Sequence, residues 1–441
     1  MSDSTVASTP PVALKVTPGL RGITRIDQLD LKDKKVFMRV DFNVPTEAKK
    51  TSSGATSIQI TDDRRIKAAI PSIQYALEKG ARLILGSHFG RPKTEEDRDK
   101  FTMEPIARRL GELLNAEVIL IDEPNSDAPK GLLPSLKPNQ VLLLENLRFD
   151  KGEEKNASEL ASQIASYTDV YINDAFGACH RAHASIDALP RLVAKKGIGF
   201  LVAKEIESLD ALMQTPAKPY VAILGGAKVS DKIPVIEKMM EHVDTFVIGG
   251  AMSYTFLAAK GLPVGNSRVE KDRVPFAAEM IKRCEARGKK LLLPVDHVIV
   301  EKFESDKSQT TSDAVIPDGF MGLDIGPKTL ELYRKELSRA KTVFWNGPMG
   351  VFEREAFAKG TFGIAKILSE LEGANTIVGG GDSAAAAEAS GFAEKFSHIS
   401  TGGGASLEYL QGDRLPGLEV LRNLRPGITP TLEGNAVKGS Q

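Results

Sequence analysis

Short unbroken runs of Val, Ile and Leu punctuate this chain, and nearly all end on a polar or glycine cluster. In the first half they are "KKVFMRVDF", "ARLILGSHF", "AEVILID", "QVLLLENL" and "DVYINDAF". The second half carries "YVAILGG", "TFVIGG", "KLLLPVDHV", "KTVFWNGP", "NTIVGGG" and "FSHISTGG". Few alternate apolar with polar, a pattern that predicts parallel strands buried on both faces. Between many of them the spacing becomes helical. In "DRRIKAAIPSIQYALEKG", Ile66, Ile70, Ile73 and Leu77 share one face. Asp62 or Asp63 is placed to cap its start and Gly80 its end, while Pro71 predicts a kink. The stretch "GFLVAKEIESLDALMQTPAKP", residues 199–219, predicts a helix and linker between two halves. Strand and helix alternating through both halves predict doubly wound α/β domains.

Length agrees, because 441 residues exceed one ordinary core and suit two domains of roughly 200 residues. Hydrophobic content of 41% and charged content of 26% fit a soluble globular chain. With 58 basic and 58 acidic side chains the formal net charge is zero. This argues against a general nucleic-acid binder, so anion chemistry must come from local clusters. Cys179 and Cys284 alone make no disulfide framework and suit a reducing, cytoplasmic setting. No apolar stretch approaches the roughly 18 residues that span a bilayer. The Ser-, Thr- and Pro-rich start "MSDSTVASTPPVALKVTPG" reads as a flexible tail rather than a transit peptide.

Ligands of open α/β sheets bind beyond the carboxyl ends of the strands, which makes the residues after each run informative. In the first half these are Arg39, Asp41 and Asn43, then His88 and Arg91, Arg148, and His180, Arg181 and His183. Arg and His grip phosphate and carboxylate, so this set fits a small, highly anionic substrate. In the second half they are Gly225, Gly226, Lys228 and Lys232, then Gly249 and Gly250, Asn346 and Gly347, Gly380 to Ser383, and Gly402 to Gly404. Glycine turns that open helices present free N–H groups to phosphate, which fits a nucleotide. In "GGGDSAAAAEA", Asp382 or Ser383 is placed to cap a helix, and a carboxylate there suits Mg2+. Each piece alone has a plain structural account: an arginine paired at the surface, two lysines on a wet helix face, a glycine in a turn. "HRAH" offers two histidines without a third zinc ligand. The segregation of cationic and glycine-rich strand ends into opposite halves is what points to two ligands.

Eleven motifs in order give the chain a resemblance to the phosphoglycerate kinase family, from about residue 23 to about 424. They are "RVDFNVP", "DRRIKAA", "SHFGRP", "LLENLRF", "NDAFGACHRAHAS", "LGGAKVSDKI", "IGGAMSYTF", "MGLDIGP", "VFWNGPMGVFE", "VGGGDSAAA" and "HISTGGGASLE". The resemblance implies an α/β fold of two Rossmann-like parallel-sheet domains joined by a hinge helix. Residues 1–198 would bind triose phosphate, 199–219 would form the hinge helix and linker, and 220–411 would bind nucleotide. Residues 412–441 would pack back on the first domain. The implied activity is reversible phosphoryl transfer between 1,3-bisphosphoglycerate and ADP, by a monomer that closes about its hinge.

By the same resemblance, Arg39, Asp41, Asn43, Arg65, His88, Phe89, Gly90, Arg91, Arg148 and Arg181 would bind the triose phosphate. Gly226, Lys228, Lys232, Gly250, Gly322, Asn346, Glu353, Gly380, Gly381, Asp382 and Ser383 would bind ADP or ATP, with Asp382 facing Mg2+. Arg65 and Lys228 would hold the transferring oxygens. The N-terminal tail, the final stretch "RPGITPTLEGNAVKGSQ" and the long loop "TEAKKTSSGATSIQITDD" depart from the family pattern. That loop reads as a mobile insertion. Two rivals remain: a nucleotide-binding scaffold without turnover, and a dehydrogenase on a related fold. The second would carry G-x-G-x-x-G, and the chain has none.

Overall fold

The computed structural model describes residues 17–50 and 56–423. The expected N-terminal tail, the centre of the inserted loop and the final stretch therefore lie wholly or largely outside the described residues. The apolar runs become two six-stranded sheets, both parallel throughout. The first orders its strands Glu117–Ile121, Gln140–Leu144, Arg82–Gly86, Lys35–Val40, Val170–Asp174 and Lys195–Ile198. The second orders Lys290–Leu292, Thr245–Ile248, Tyr220–Leu224, Thr342–Asn346, Asn375–Val378 and His398–Ile399. Val170–Asp174, Tyr220–Leu224 and Thr342–Asn346 are buried along their whole length, as continuous β-branched runs require when helices cover both faces.

Two expectations change. "KLLLPVDHV" is two strands: Pro294 and its neighbours interrupt it, and His297–Val300 leaves the large sheet. It pairs antiparallel with Gln309–Thr310 and Met321–Ile325 instead. The described arms of the inserted loop, Thr46–Lys50 and Thr56–Ile60, pair antiparallel where the sequence pattern predicts no strand. Its first strand is mainly exposed, so no burial pattern announced it. The helix Arg64–Glu78 runs unbroken through Pro71. It ends as expected at Gly80 (φ +76°): the Gly80 N–H donates to Leu77 O and the Ala81 N–H to Ala76 O, closing a Schellman motif. At its start Asp62, not Asp63, provides the acceptor, taking the Arg64 N–H at 3.0 Å.

The connecting helix Phe200–Met213 follows directly on the last strand of the first sheet. Asp174, ending a central strand, accepts from the Leu201 and Val202 N–H groups at 3.0 and 3.3 Å. This satisfies two orphan donors of the helix start and fixes its entry angle. On the same helix Glu205 is fully buried and Asp210 accepts from Gly19 N and Tyr409 Oη at 2.8 and 2.6 Å. Residues 416–423 return to the first unit. The Gly417 N–H donates to Cys179 O, the Asn423 N–H donates to Gly22 O, and Leu418 and Leu421 are buried. Among the described residues no helix is long and apolar enough to cross a membrane.

Candidate active site at the strand ends

At the carboxyl end of the first sheet lies a cavity of about 220 Å³ lined by Asp41, Asn43, Arg65, His88, Arg91, Arg148, Arg181 and both histidines of "HRAH". Four guanidinium groups against one carboxylate give it the charge that suits a small polyanion. Asp41 pairs with Arg65 (Oδ2 to Nη1, 2.5 Å) and accepts from the Asn43 N–H at 3.1 Å. Burial opposes its ionisation, but Arg65, His88 and Arg39 outweigh it and hold the carboxyl below its usual value. Burial lowers His88 as well, far below an ordinary imidazole. Its Nδ1 lies 3.2 Å from Arg39 Nη2. An arginine only donates, so Nδ1 accepts and the neutral ring carries its proton on Nε2.

Behind the wall a second layer holds the first. Arg39 is fully buried and does not line the cavity. Its Nε donates to Ser185 Oγ (2.8 Å), and that hydroxyl donates to Glu153 Oε1 (2.6 Å), so charge is met by charge through one oxygen. Arg148 donates to Gly90 O at 2.6 Å, and Gly90 N donates to Asn43 Oδ1 at 2.8 Å. Gly90 (φ +61°) admits no side chain, because a Cβ there would sit 2.2 Å from the Phe101 ring. Phe89 is core, stacked edge-on with Phe101.

The second sheet opens on a larger cavity of about 520 Å³. Gly226, Gly250 and Gly322 lie at its wall with Tyr254, Met321, Val351, Glu353 and Asp382. The two glycine turns meet so closely that a Cβ on Gly250 (φ +62°) would lie 2.4 Å from Gly226 N. Only bare backbone fits there, but the expected free N–H groups are absent at these glycines: the Gly226 N–H donates to Pro348 O at 2.9 Å and the Gly250 N–H to Met349 O at 3.0 Å. Gly380 (φ +91°), not Asp382 or Ser383, is the N-cap of the helix Gly381–Ala389. Ser383 instead turns inward and accepts from Gly347 N at 2.5 Å, and Asp382 is left in the first turn facing the cavity. Lys232 donates to Asn346 Oδ1, while Asn346 Nδ2 donates to Gly379 O at 2.7 Å. Burial lowers the Lys232 ammonium below its usual range, with Asp231 and Asp382 opposing.

A family model for phosphoglycerate kinase matches residues 26–413. The chain belongs to the phosphoglycerate kinase family. A phosphoglycerate kinase of Bdellovibrio bacteriovorus is 58% identical over 405 residues, covering 92% of this chain and 98% of that relative. The chloroplastic phosphoglycerate kinase of Volvox carteri is 49% identical over 404 residues, covering 91% and 86%. Among solved structures, the phosphoglycerate kinase of Coxiella burnetii superposes with a TM-score of 0.78 at 36% identity, covering 90% of this chain and 98% of that one.

On this phosphoglycerate kinase fold, the residues singled out in the sequence separate into wall, support and surface. Asp41, Asn43, Arg65, His88, Arg91, Arg148 and Arg181 share one cavity; Gly226, Gly250, Gly322, Glu353 and Asp382 share the other. Arg39, Phe89, Gly90, Asn346 and Ser383 stand behind those walls as supports. Lys228 is exposed just past the first glycine turn and lines neither cavity, and Gly381 opens its helix without lining one. Gly402 to Gly404 change sides: counted with the nucleotide-type turns, they line the basic cavity instead. Sequence reasoning missed Glu153 and Ser185 behind Arg39, and Tyr254, Asn266, Arg268 and Phe303 in the larger cavity. Phe303 is a large side chain left 49% exposed, which only the structure shows.

Proposed function

We propose that this chain catalyses reversible phosphoryl transfer from 1,3-bisphosphoglycerate to ADP, giving 3-phosphoglycerate and ATP. The observation that carries this reading is the pairing, in a phosphoglycerate kinase chain, of a four-arginine cavity with a glycine-walled one. In this reading Arg91, Arg148 and Arg181 hold the triose phosphate, and His88 donates from Nε2. Arg65, paired with Asp41 yet 32% exposed, reaches the phosphoryl group in flight, with Lys228 from the other side. A loose phosphoryl transition state needs positioning and charge neutralisation rather than a protein nucleophile. Both cysteines are buried, and burial raises the Cys179 thiol to about 12, which suits an inert role.

The nucleotide enters as its Mg2+ complex. Among the described residues no group of three or more metal-ligating side chains exists. Asp382 alone fits an ion that takes most of its ligands from phosphates and water. Mg2+ supplies charge neutralisation on the nucleotide; Glu353 meets the ribose hydroxyls, while Gly226 and Gly250, whose N–H groups already donate to Pro348 O and Met349 O, leave room for the nucleotide at the wall. Closure about the helix Phe200–Met213 brings the two ligands together and excludes water from the acyl phosphate. We read the protein as a cytoplasmic monomer with small-molecule partners only.

The test is a coupled assay with 3-phosphoglycerate, Mg-ATP, glyceraldehyde-phosphate dehydrogenase and NADH. Absorbance loss that requires the protein and both substrates supports the reading. Mg-ATP binding without turnover would leave the scaffold alternative standing.

A further inference from the structure

Arg64 and Arg65 are neighbours in the first turn of one helix, yet their guanidinium groups serve different halves of the molecule. Arg65 turns to Asp41 in the first unit. Arg64 reaches the second: its Nη1 lies 3.1 Å from Ala384 O and 3.4 Å from Glu388 Oε1, both on the helix Gly381–Ala389. Asp62 prepares that reach. It accepts from Arg64 Nε at 2.8 and 3.0 Å, and also takes Arg64 Nη2 and the Arg64 N–H. One face of the fork is thereby spent within the first unit, and only Nη1 projects across.

We propose that Arg64 is a positioning residue, a latch that sets the separation of the two units during phosphoryl transfer. The inference rests on the transfer reading above and extends it to a residue that lines neither cavity. The latch joins two short levers. On one side the very next residue lines the basic cavity; on the other, Ala384 stands two residues beyond Asp382, which lines the glycine-walled one. A shift at the contact is passed to both ligands within one helical turn. Holding the guanidinium in advance also removes much of the side-chain entropy that weakens ordinary surface pairs. Glu388 and Arg64 remain partly exposed (43% and 33%), so the contact can break and re-form as the units move.

The experiment compares Arg64→Ala, Arg64→Lys and Glu388→Ala with the parent by three measurements. These are kcat and KM, the affinity for each substrate alone by calorimetry, and the radius of gyration with both substrates by X-ray scattering. The latch predicts that Arg64→Ala lowers kcat by about three- to tenfold, as expected for one charge-assisted contact. Each single-substrate affinity stays at the parent value, and the doubly liganded form is wider. Glu388→Ala moves the same way by less, and Arg64→Lys recovers part of the loss. Parent values of both kcat and radius overturn the proposal. So does a fall in kcat accompanied by equal loss of either single-substrate affinity, which would mark local damage at a cavity. Should Arg64→Ala fail to fold, Glu388→Ala decides from the opposite side. If the parent itself transfers no phosphoryl group, the functional reading fails, while the scattering comparison still judges the latch.

Discussion

Glu205, fully buried on the connecting helix, lies 2.9 Å from Nε2 of His398 at the edge of the second sheet. The same carboxylate accepts from the Thr401 N–H at 2.7 Å and its hydroxyl at 2.9 Å. One side chain thus fastens the connecting helix to the turn that precedes Gly402 to Gly404.

Breaking that junction should be costly. Glu205→Ala leaves the buried His398 and the half-buried Thr401 without their acceptor, a change worth about 3–5 kcal/mol. Urea unfolding should show a loss of that order. Burial works against the Glu205 charge, but His398 and the hydrogen bonds outweigh it and lower the carboxyl below its ordinary value. A lowered folded value means the contribution is present above the unfolded carboxylate range and disappears as pH falls through the folded one. The variant should therefore lose its deficit relative to the parent in strong acid.

Arg65→Ala should lower kcat by at least ~10²-fold with little change in KM, as removal of an electrostatic stabiliser does. Steady-state kinetics check it. A near-normal kcat would remove Arg65 from the transfer step.

Asp382→Asn keeps the helix, whose N-cap is Gly380, and removes the carboxylate facing the larger cavity. Calorimetry should show weaker binding of Mg-ADP and a nearly unchanged affinity for ADP without Mg2+. Equal affinities in both variants would exclude the metal contact.

Asp174 gives a pH signature of the opposite sign. Burial raises its carboxyl to about 7, against the pull of Ser72 and the Val202 and Leu201 N–H groups. The folded state then holds a proton that the unfolded chain releases, so stability falls as pH rises from about 4 to about 7. Asp174→Asn keeps an acceptor for the helix start without the buried charge. Its Tm should exceed the parent's at pH 8, by roughly 2–4 °C for each kcal/mol recovered, and the two should converge at pH 4. A lower Tm for the variant at pH 8 would contradict this.

His88 should stay neutral throughout the physiological range. Nitrogen NMR should find the Nε2–H tautomer at pH 6, and 3-phosphoglycerate affinity should show no step from this ring near pH 6.5.

Sequence showed the sheets because burial on both faces leaves an unmistakable apolar run. It hid strands for which the burial rule fails. Lys195–Ile198 begins with two lysines at a sheet edge, and the first strand of the 46–60 hairpin is mostly exposed. The site followed the same division. Strand-end residues such as Arg91, Arg148 and Asp382 could be assigned to a cavity because chain direction alone puts them at the right end. Depth could not be read: Arg39 and Arg91 look alike in the sequence, yet one is a buried brace and the other lines the wall. Neither could long-range return, which moves Gly402 to Gly404 to the basic cavity and carries Arg64 to Ala384.

The return of residues 416–423 also orders events in time. Asn173 Nδ2 lies 3.3 Å from Gly417 O, and Leu418 and Leu421 join a core that begins with Leu20 and Ile23. A chain emerging from the ribosome makes most of the first unit before the second, and the piece that seals the first only after the second. Until residues 416–423 are available, that core lacks Leu418 and Leu421 and carries an apolar gap. Completion of the first sheet alone therefore does not complete the packing of the first unit.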